Sequence, residues 1–495
     1  MNTKLLRQKI LDLAIRGKLT DQRKSDGTAA DLLKDIAEAK PKKNGVILSG
    51  ARSAKSKDPK QIIPLDKSEA PFEIPDNWEW VKLGDLCNAS SGKTPSTSQK
   101  EFWNGNVLWV TSKDVKQKYI DSTQICLSDL GASSMQLYPP KTMIIVGRSG
   151  ILRHSLPVAI LKKGATINQD LKALVFKDDR VVEFVYSVIK GMEQHLLHEY
   201  KKAGTTVDNL NFDLFLTAPI PLPPLAEQQR IVAKIEEAFA EIDAVEKNKD
   251  LLKTHIKQTR QKILDLAIHG KLVPQDENDE PASVLLEKIL QEKAQSDNKK
   301  HSKKNKTTTP ATSDNRPYEK IEDVPFEIPC TWEWVRLGMV CEEMESTRPK
   351  GDVFKYIDID SIDNTICKIK APKILETKNA PCRASRYTKK GDVLFSLVRP
   401  YLRNIAKVEE DGCIASTGFY ICSPQNIDAD YCFHLMTCHY VVDGLNQYMK
   451  GDNSPSISSK NVIEYPIPLP PLAEQRRIVN KIKELFSELE LFDKE

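Results

Sequence analysis

The chain has 495 residues, 40% hydrophobic and 29% charged, enough for several domains and without an apolar run long enough to span a bilayer. A formal net charge of +4 is too small to argue nucleic-acid binding from bulk charge, so any such reading rests on local clusters of Lys and Arg. The ten cysteines include no Cys-x-x-Cys pair and no secretory leader is recognisable, a pattern that points to free thiols in a cytoplasmic protein.

In chain order, the first helical pattern is Arg7-Gln8-Lys9-Ile10-Leu11-Asp12-Leu13-Ala14-Ile15, which returns letter for letter at Arg260 to Ile268. A lysine-rich tract from Lys40 to Lys60 cannot bury enough apolar surface to fold alone and reads as a linker. Pro71-Phe72-Glu73-Ile74-Pro75 follows, with Trp78-Glu79-Trp80-Val81 behind it; both recur, at Pro325 to Pro329 and Trp332 to Val335. Because all four tryptophans are part of the copied sequence, they are expected to build a shared core, not base-stacking platforms. Short β-rich runs then appear at Val107 to Thr111, Met143 to Val146 and Leu171 to Phe176, and a helical pattern at Val181 to Tyr200. The second half offers Val393 to Val398, Gly418 to Cys422 and a helix over Tyr431 to Tyr448. These patterns describe two mixed α/β domains of ordinary size.

Pro219 to Gln228 is repeated without change at Pro466 to Gln475, so the offsets between copies are 253, 254 and 247 along the chain. Two copies of one long unit fill the protein, which excludes short-period solenoids and propellers. The ends of each copy are alike and the middles diverge, the pattern of a duplicated frame that holds two different readers. Where the first copy runs into the second, Ile231, Ile235, Ala238, Ile242, Val245, Leu252, Ile256, Ile263 and Leu266 fall on a heptad seam. Pro223 and Pro224 mark the start of this helix, Gly270 and Pro274 its end, and unbroken it would run roughly 65 Å. The last helix carries Ile478, Ile482, Leu485, Leu489 and Phe492 on the same seam. If the repeats fold alike, the first and last helices together imitate the central one and lie antiparallel beside it, closing the chain into a ring.

A second lysine-rich tract, Lys293 to Lys306, reads as another linker. Cys432, His434, Cys438 and His439 do not have the spacing of a common zinc motif and are read as buried helix residues. The chain has no phosphate loop, dinucleotide-binding turn, H-E-x-x-H helix or G-x-S-x-G elbow, and its Pro-Pro pairs lack the flanking residues of an amino-methyltransferase tetrad. No catalytic residue and no metal ligand is expected.

With these residues in view, the whole chain resembles the specificity subunits of type I restriction-modification enzymes. The resemblance rests on Pro-Leu-Pro-Pro-Leu-x-Glu-Gln-x-x-Ile-Val at Pro221 to Val232 and Pro468 to Val479, and on the stretch from Lys262 to Gln275. Gly92-Lys93-Thr94-Pro95-Ser96 with Phe102-Trp103-Asn104-Gly105 resembles the family's first recognition loop; the second copy offers only Thr347-Arg348-Pro349. The resemblance implies an α+β fold, with two target recognition domains separated by two long antiparallel coiled-coil helices in a pseudo-two-fold, circular arrangement. The expected segments are a helical segment at 1–40, a linker at 41–70, the first recognition domain at 71–218 and the central long helix at 219–290. A linker at 291–324, the second recognition domain at 325–465 and the last helix at 466–495 complete the chain.

It further implies that each domain reads one half of a split duplex DNA site while docked methyltransferase (M) and restriction (R) subunits methylate adenine N6 or cleave. S-adenosylmethionine, ATP and magnesium would belong to those partners. Candidate DNA-binding residues in the first domain are Lys93, Thr94, Asn104, Ser112, Lys113, Arg148, Arg153 and Gln169. Those in the second are Arg348, Arg383, Arg386, Arg399, Tyr401 and Arg403. Candidate partner-docking residues are Leu225, Glu227, Gln228 and Arg230, with their copies Leu472, Glu474, Gln475 and Arg477. The competing readings are a coiled-coil scaffold with two protein-binding modules and a self-contained DNA methyltransferase or nuclease.

Overall fold

The computed structural model describes residues 2–38, 62–66, 70–204, 206–300 and 321–494. The tract from Lys40 to Lys60 and residues 301–306 of the second tract lie outside this set. The chain forms two compact units, residues 1–248 and 249–495. The long helix Leu225–Ile268 contributes its first part to one unit and its remainder to the other. It stops before Gly270, whose φ of +67° fits the left-handed cap that the sequence suggests.

Within the first unit, the amino-terminal helix Thr3–Ile15 lies antiparallel to the long helix. Arg7 reaches Asp243 and Glu246 at 2.6 and 3.0 Å, while Gln22, further along the chain, reaches back to Glu227. The second unit repeats this with the carboxy-terminal helix Leu472–Lys494, where Arg260 faces Glu490 and Gln275 reaches Glu474. Both arginines lie over a phenylalanine ring, Arg7 at 5.1 Å from Phe239 and Arg260 at 5.3 Å from Phe486. Ile231, Ile235, Ile242, Ile256 and Ile263 of the expected seam are buried. Val245 and Leu252 are not, at 47% and 41% exposure, so the seam is open at the middle of the long helix.

Each unit is closed by one buried clasp. The indole N–H of Trp78 donates to Glu227 Oε2 at 2.9 Å, and Gln22 Nε2 donates to the other carboxylate oxygen at 2.5 Å. Arg230, one turn on, holds Asp26 through both oxygens, at 2.8 and 2.6 Å. In the second unit Trp332 and Gln275 bind Glu474 at 2.8 and 2.5 Å, and Arg477 holds Asp279. Three segments distant in sequence thus meet at one carboxyl group. The turn after the first helix packs so tightly here that a Cβ on Gly17 would lie 2.4 Å from Pro75; Gly270 stands in the same relation to Pro329. Both glycines also have φ of +67°, where L residues are strained.

The strand Glu79–Lys82 pairs antiparallel with Pro219–Leu222, and Glu333–Arg336 pairs with Pro466–Leu469 in the same register. Prolines are accepted because each is a two-stranded edge. The four copied tryptophans are buried, and Trp80 and Trp334 each meet a phenylalanine edge-on at 4.9 Å. They are core residues, as their duplication suggests.

The middles diverge around one shared element. In the first unit the central strand Met143–Val146 pairs with Val158–Leu161 on one side and Leu171–Phe176 on the other. In the second, Val393–Ser396 pairs with Ile405–Lys407 and Phe419–Cys422 in matching register, Met143 corresponding to Val393. Beyond these three strands the sheets differ: five strands in one domain, and a separate four-stranded sheet in the other.

The late helical patterns are each split in two. Val182–Gly191 and Glu193–Tyr200 meet at Met192, and Ala429–Thr437 and His439–Asn446 meet at Cys438. Lys118 joins its domain to the arm by bridging Glu183 at 2.7 Å and Glu236 at 2.8 Å. In the other unit the signs are reversed, Asp430 lying between Lys407 and Lys483. Residues 291–300 depart from the expected linker, because helix Ala282–Lys300 continues through them. Buried Leu285, Leu286 and Ile289 anchor that helix, and Lys293 donates to the carbonyls of Gly338 and Cys341.

Burial raises the pKa of Glu227 and Glu474 above the ordinary carboxyl value, against the opposing Trp and Gln donors. A carboxyl with a raised folded pKa contributes fully below its unfolded pKa and loses that contribution as pH rises through the folded value. The unfolding midpoint is therefore expected to fall with rising pH across that window, and Glu227→Gln with Glu474→Gln to flatten the slope. Identical slopes in denaturant titrations of the two proteins would remove the clasp carboxyls as its source.

Candidate nucleic-acid interface

In the first domain most of the polar candidates collect at one edge. Strands Trp103–Val110 and Ala165–Ile167 run parallel and end together, bringing Ser112 and Lys113 beside Gln169. The loop after Ser91 is held to the same edge: Lys93 N donates to Ile167 O at 3.0 Å, and Thr94 Oγ1 donates to Gln169. Gly92 is required, since a Cβ there would meet the Asn168 carbonyl oxygen at 2.2 Å. Two tryptophans brace the loop from below; Trp109 and Trp103 pack edge-on at 5.2 Å and donate to the Lys93 and Ser96 carbonyls. The next turn joins in, because Gly147 N and Arg148 N both donate to Asp170 O. Asn104, at φ +62° in the bulged start of its strand, stands apart.

Sequence reasoning missed four further residues here. Lys172 points outward from a strand of buried apolar neighbours and donates to Ser91 Oγ at 2.6 Å. With Lys202, Asn209 and Asn211 it lines a cleft of about 480 Å³. A lysine at an outward position of an otherwise apolar strand was the available signal. Arg148 is paired in register with Asn209, which places the cleft and the turn side by side.

Both ends of the turn carry an exposed arginine. Arg153 in addition donates to Thr206 O at 3.5 Å and lies 3.9 Å from Asp208. Asp208 accepts from Gly204 N and faces Lys201 as well, which holds its pKa below the usual carboxyl range.

In the second domain the two arginines differ. Arg399 is exposed and donates to Asn453 O at 2.8 Å. Arg403 is turned inward, donating to Thr437 O at 2.9 Å near Asp443. Tyr401 is exposed between them at 47%. Arg348 and Arg383 are exposed as well; Thr347 N binds Ser385 O, and Thr417 N, one residue after the strand Cys413–Ser416, binds Arg383 O. Arg386 is half-buried in a β-bulge, and its Nε has no partner among the described residues.

The expected docking residues lie elsewhere and face inward. Glu227, Gln228, Glu474 and Gln475 are at most 1% exposed; the glutamates belong to the clasps, and the glutamines donate to Pro223 O and Pro470 O. Arg230 and Arg477 are engaged by Asp26 and Asp279, while Leu225 and Leu472 pack on their unit's core. Their duplication reflects internal structure, not an accessible surface. The exposed positions between them are Ala226, Gln229, Ala473 and Arg476.

Among the described residues no group of three or more His, Cys, Asp or Glu could hold a metal ion, and no helix is long and apolar enough to cross a membrane. His434 is half-buried beside Phe486, and its removal from water lowers its pKa to about 4.

Residues 75–254 and 329–494 match the family model described as the type I restriction modification DNA specificity domain. The EcoEI specificity subunit of Escherichia coli is 24% identical over 98% of this chain and 89% of its own length. The EcoAI specificity subunit, also of Escherichia coli, is 25% identical over 97% of this chain and 88% of its own. A chain from a solved type I restriction-modification system has the same fold, with a TM-score of 0.54 at 19% identity, covering 86% of this chain and 94% of that one.

Arg403→Ala is expected to cost about 1.5–3 kcal/mol of stability, since it removes the charged hydrogen bond to Thr437 O that pins the turn. Arg148→Ala, at an exposed position, is expected to stay within about 0.5 kcal/mol of the parent. Urea midpoints in the opposite order would contradict the assignment of anchor and free arginine.

Proposed function

Because the chain belongs to the type I restriction-modification DNA specificity family, we propose that it binds a two-part, asymmetric duplex DNA target and holds methyltransferase and restriction subunits over it. The observation that carries this reading is the pairing of two closely matched clasps with two recognition domains that share three strands and little else. A repeated frame fixes where two half-sites are read, and unlike domains make the halves differ in sequence.

The exposed groups at the first edge, Lys93, Lys113, Arg148, Gln169 and Lys202, with the half-buried Ser112 and Lys172, supply phosphate contacts and base-edge donors. Arg348, Arg383 and Arg399 do so in the second domain. Arg153 and Arg403 act as positioning residues for the turns that carry their neighbours. Docking uses the outward residues of the two Pro-Pro helix starts, Ala226, Gln229, Ala473 and Arg476, around the buried clasp. Adenine N6 methylation and ATP-dependent cleavage belong to the partners, together with S-adenosylmethionine, ATP and magnesium, and the assembly works in the cytoplasm.

The test is to incubate purified chain with DNA and labelled S-adenosylmethionine, with and without M subunit, and to footprint the DNA. The expected result is no methyl transfer by the chain alone, with methylation and protection of two separated short sequences once M is present. Transfer without M would point to a self-contained enzyme, and an M complex that protects no sequence would point to a scaffold.

A further inference from the structure

We propose that each recognition domain drives the apolar tip of one short 3-10 turn between stacked base pairs, as a wedge that opens the duplex. The tip is Ile151 in the first domain and Tyr401 with Leu402 in the second. This inference rests on the proposed DNA-binding function and names how the same site engages the duplex.

The two turns are equivalent by position. Each connects the central shared strand to its neighbour, and the equivalence extends to the last ladder bond, Val146 N to Pro157 O and Ser396 N to Asn404 O. In the first domain the turn is Gly150–Arg153; in the second it is Pro400–Leu402. The two connections differ in length and in almost every residue. Two features nevertheless recur: an exposed arginine before the turn and a large exposed apolar side chain at its tip; an arginine also follows each turn, half-exposed at Arg153 and turned inward at Arg403.

The apolar tips contrast with the residues beside them. Ile151 is 48% exposed, Tyr401 47% and Leu402 41%, although the neighbours Leu152 and Pro400 are buried and tie the turns to the domain. Nor are the tips slack loops. Ser149 caps the first turn, and His154 N and Ser155 N both bind Ile151 O. In the second, Leu402 N binds Arg399 O, Arg403 N binds Pro400 O, and Asn364 Nδ2 donates to Leu402 O at 2.8 Å. Arg399 and Arg403 bracket this turn at φ +47° and +55°, a left-handed backbone that arginine adopts only when its surroundings impose it. A rigid, strained turn that spends its contacts on presenting apolar side chains to solvent is built to place them somewhere else.

The flanking charge identifies the occupant. Arg148 precedes the first tip, with Lys172 and Lys202 in the adjoining cleft that Asp213 also lines, and Arg399 precedes the second; these cations suit phosphates on either side of an opened base step. Apolar wedges beside arginine are a physical means of unstacking one step, and the cost is least at flexible pyrimidine–purine steps. Each wedge would thereby add sequence preference at a step that no side chain reads through its edges.

The experiment uses the full chain assembled with its M subunit and duplexes bearing its two-part target, found by adenine-methylation mapping, with 2-aminopurine placed in turn at each position. Parent protein is expected to raise the fluorescence at one step within each half-site in addition to the adenine that M extrudes for methylation, and only that additional rise is read. Ile151→Ser is expected to abolish the rise in one half-site only, Tyr401→Ser with Leu402→Ser in the other only, and each to weaken binding on the order of tenfold. Because all three side chains are exposed, the variants are checked for an unchanged thermal midpoint; an Ile151→Val protein that recovers the signal separates wedge from fold. Specific binding by the parent with no fluorescence rise, or a rise unchanged in the serine variants, overturns the wedge and leaves the DNA-binding function standing. A parent complex that protects no DNA overturns both.

Discussion

A buried carboxyl group that must find two donors organises each half of this protein. Glu227 and Glu474 are removed from water, and the indole N–H of Trp78 or Trp332 and the amide of Gln22 or Gln275 offset most of that cost, with the nearby charge of Arg230 or Arg477. The donors come from the amino-terminal side of a recognition domain and the acceptor from beyond its end, so satisfying one side chain fixes the domain's entry, its exit and the preceding helix together. Arg230 with Asp26, and Arg477 with Asp279, repeat the constraint one turn along. A domain of any sequence that begins at the tryptophan pair and ends at the Pro-Pro helix start is held by the same clasp.

This separation of frame from reader explains why similarity is concentrated at the ends of each repeat. What the two middles retain is geometric: three strands in one register and a 3-10 turn at the same connection. The arm contact shows how little sequence such geometry needs. A lysine between two carboxylates in one unit becomes a carboxylate between two lysines in the other, and both arrangements tie the domain to its arm.

The frame was legible in the sequence because duplication acts as a control: ten identical residues at two places identify an element before its structure is known. The long helix, its proline start and its glycine stop followed from periodicity and backbone chemistry. The role of the copied Glu-Gln pair did not, since identity between repeats marks both internal clasps and shared surfaces, and only burial separates them. Recognition residues were legible in part. Arg148 and Arg399 were visible as arginines near a strand end, but the difference between them and the anchored Arg153 and Arg403 depends on contacts with residues 206–208 and 437–443, far along the chain. Lys172 and Lys202 were missed for the same reason, because pairing across the sheet, not spacing, puts them at one edge.

The central claim is that two matched clasps present two unlike readers to one duplex. It is tested most directly by mapping N6-methyladenine across the genome of cells that express this chain with its M subunit. The account predicts a single motif of two different short sequences separated by a spacer of fixed length, methylated in both parts. A motif that is contiguous, or halves whose separation varies from site to site, would contradict it.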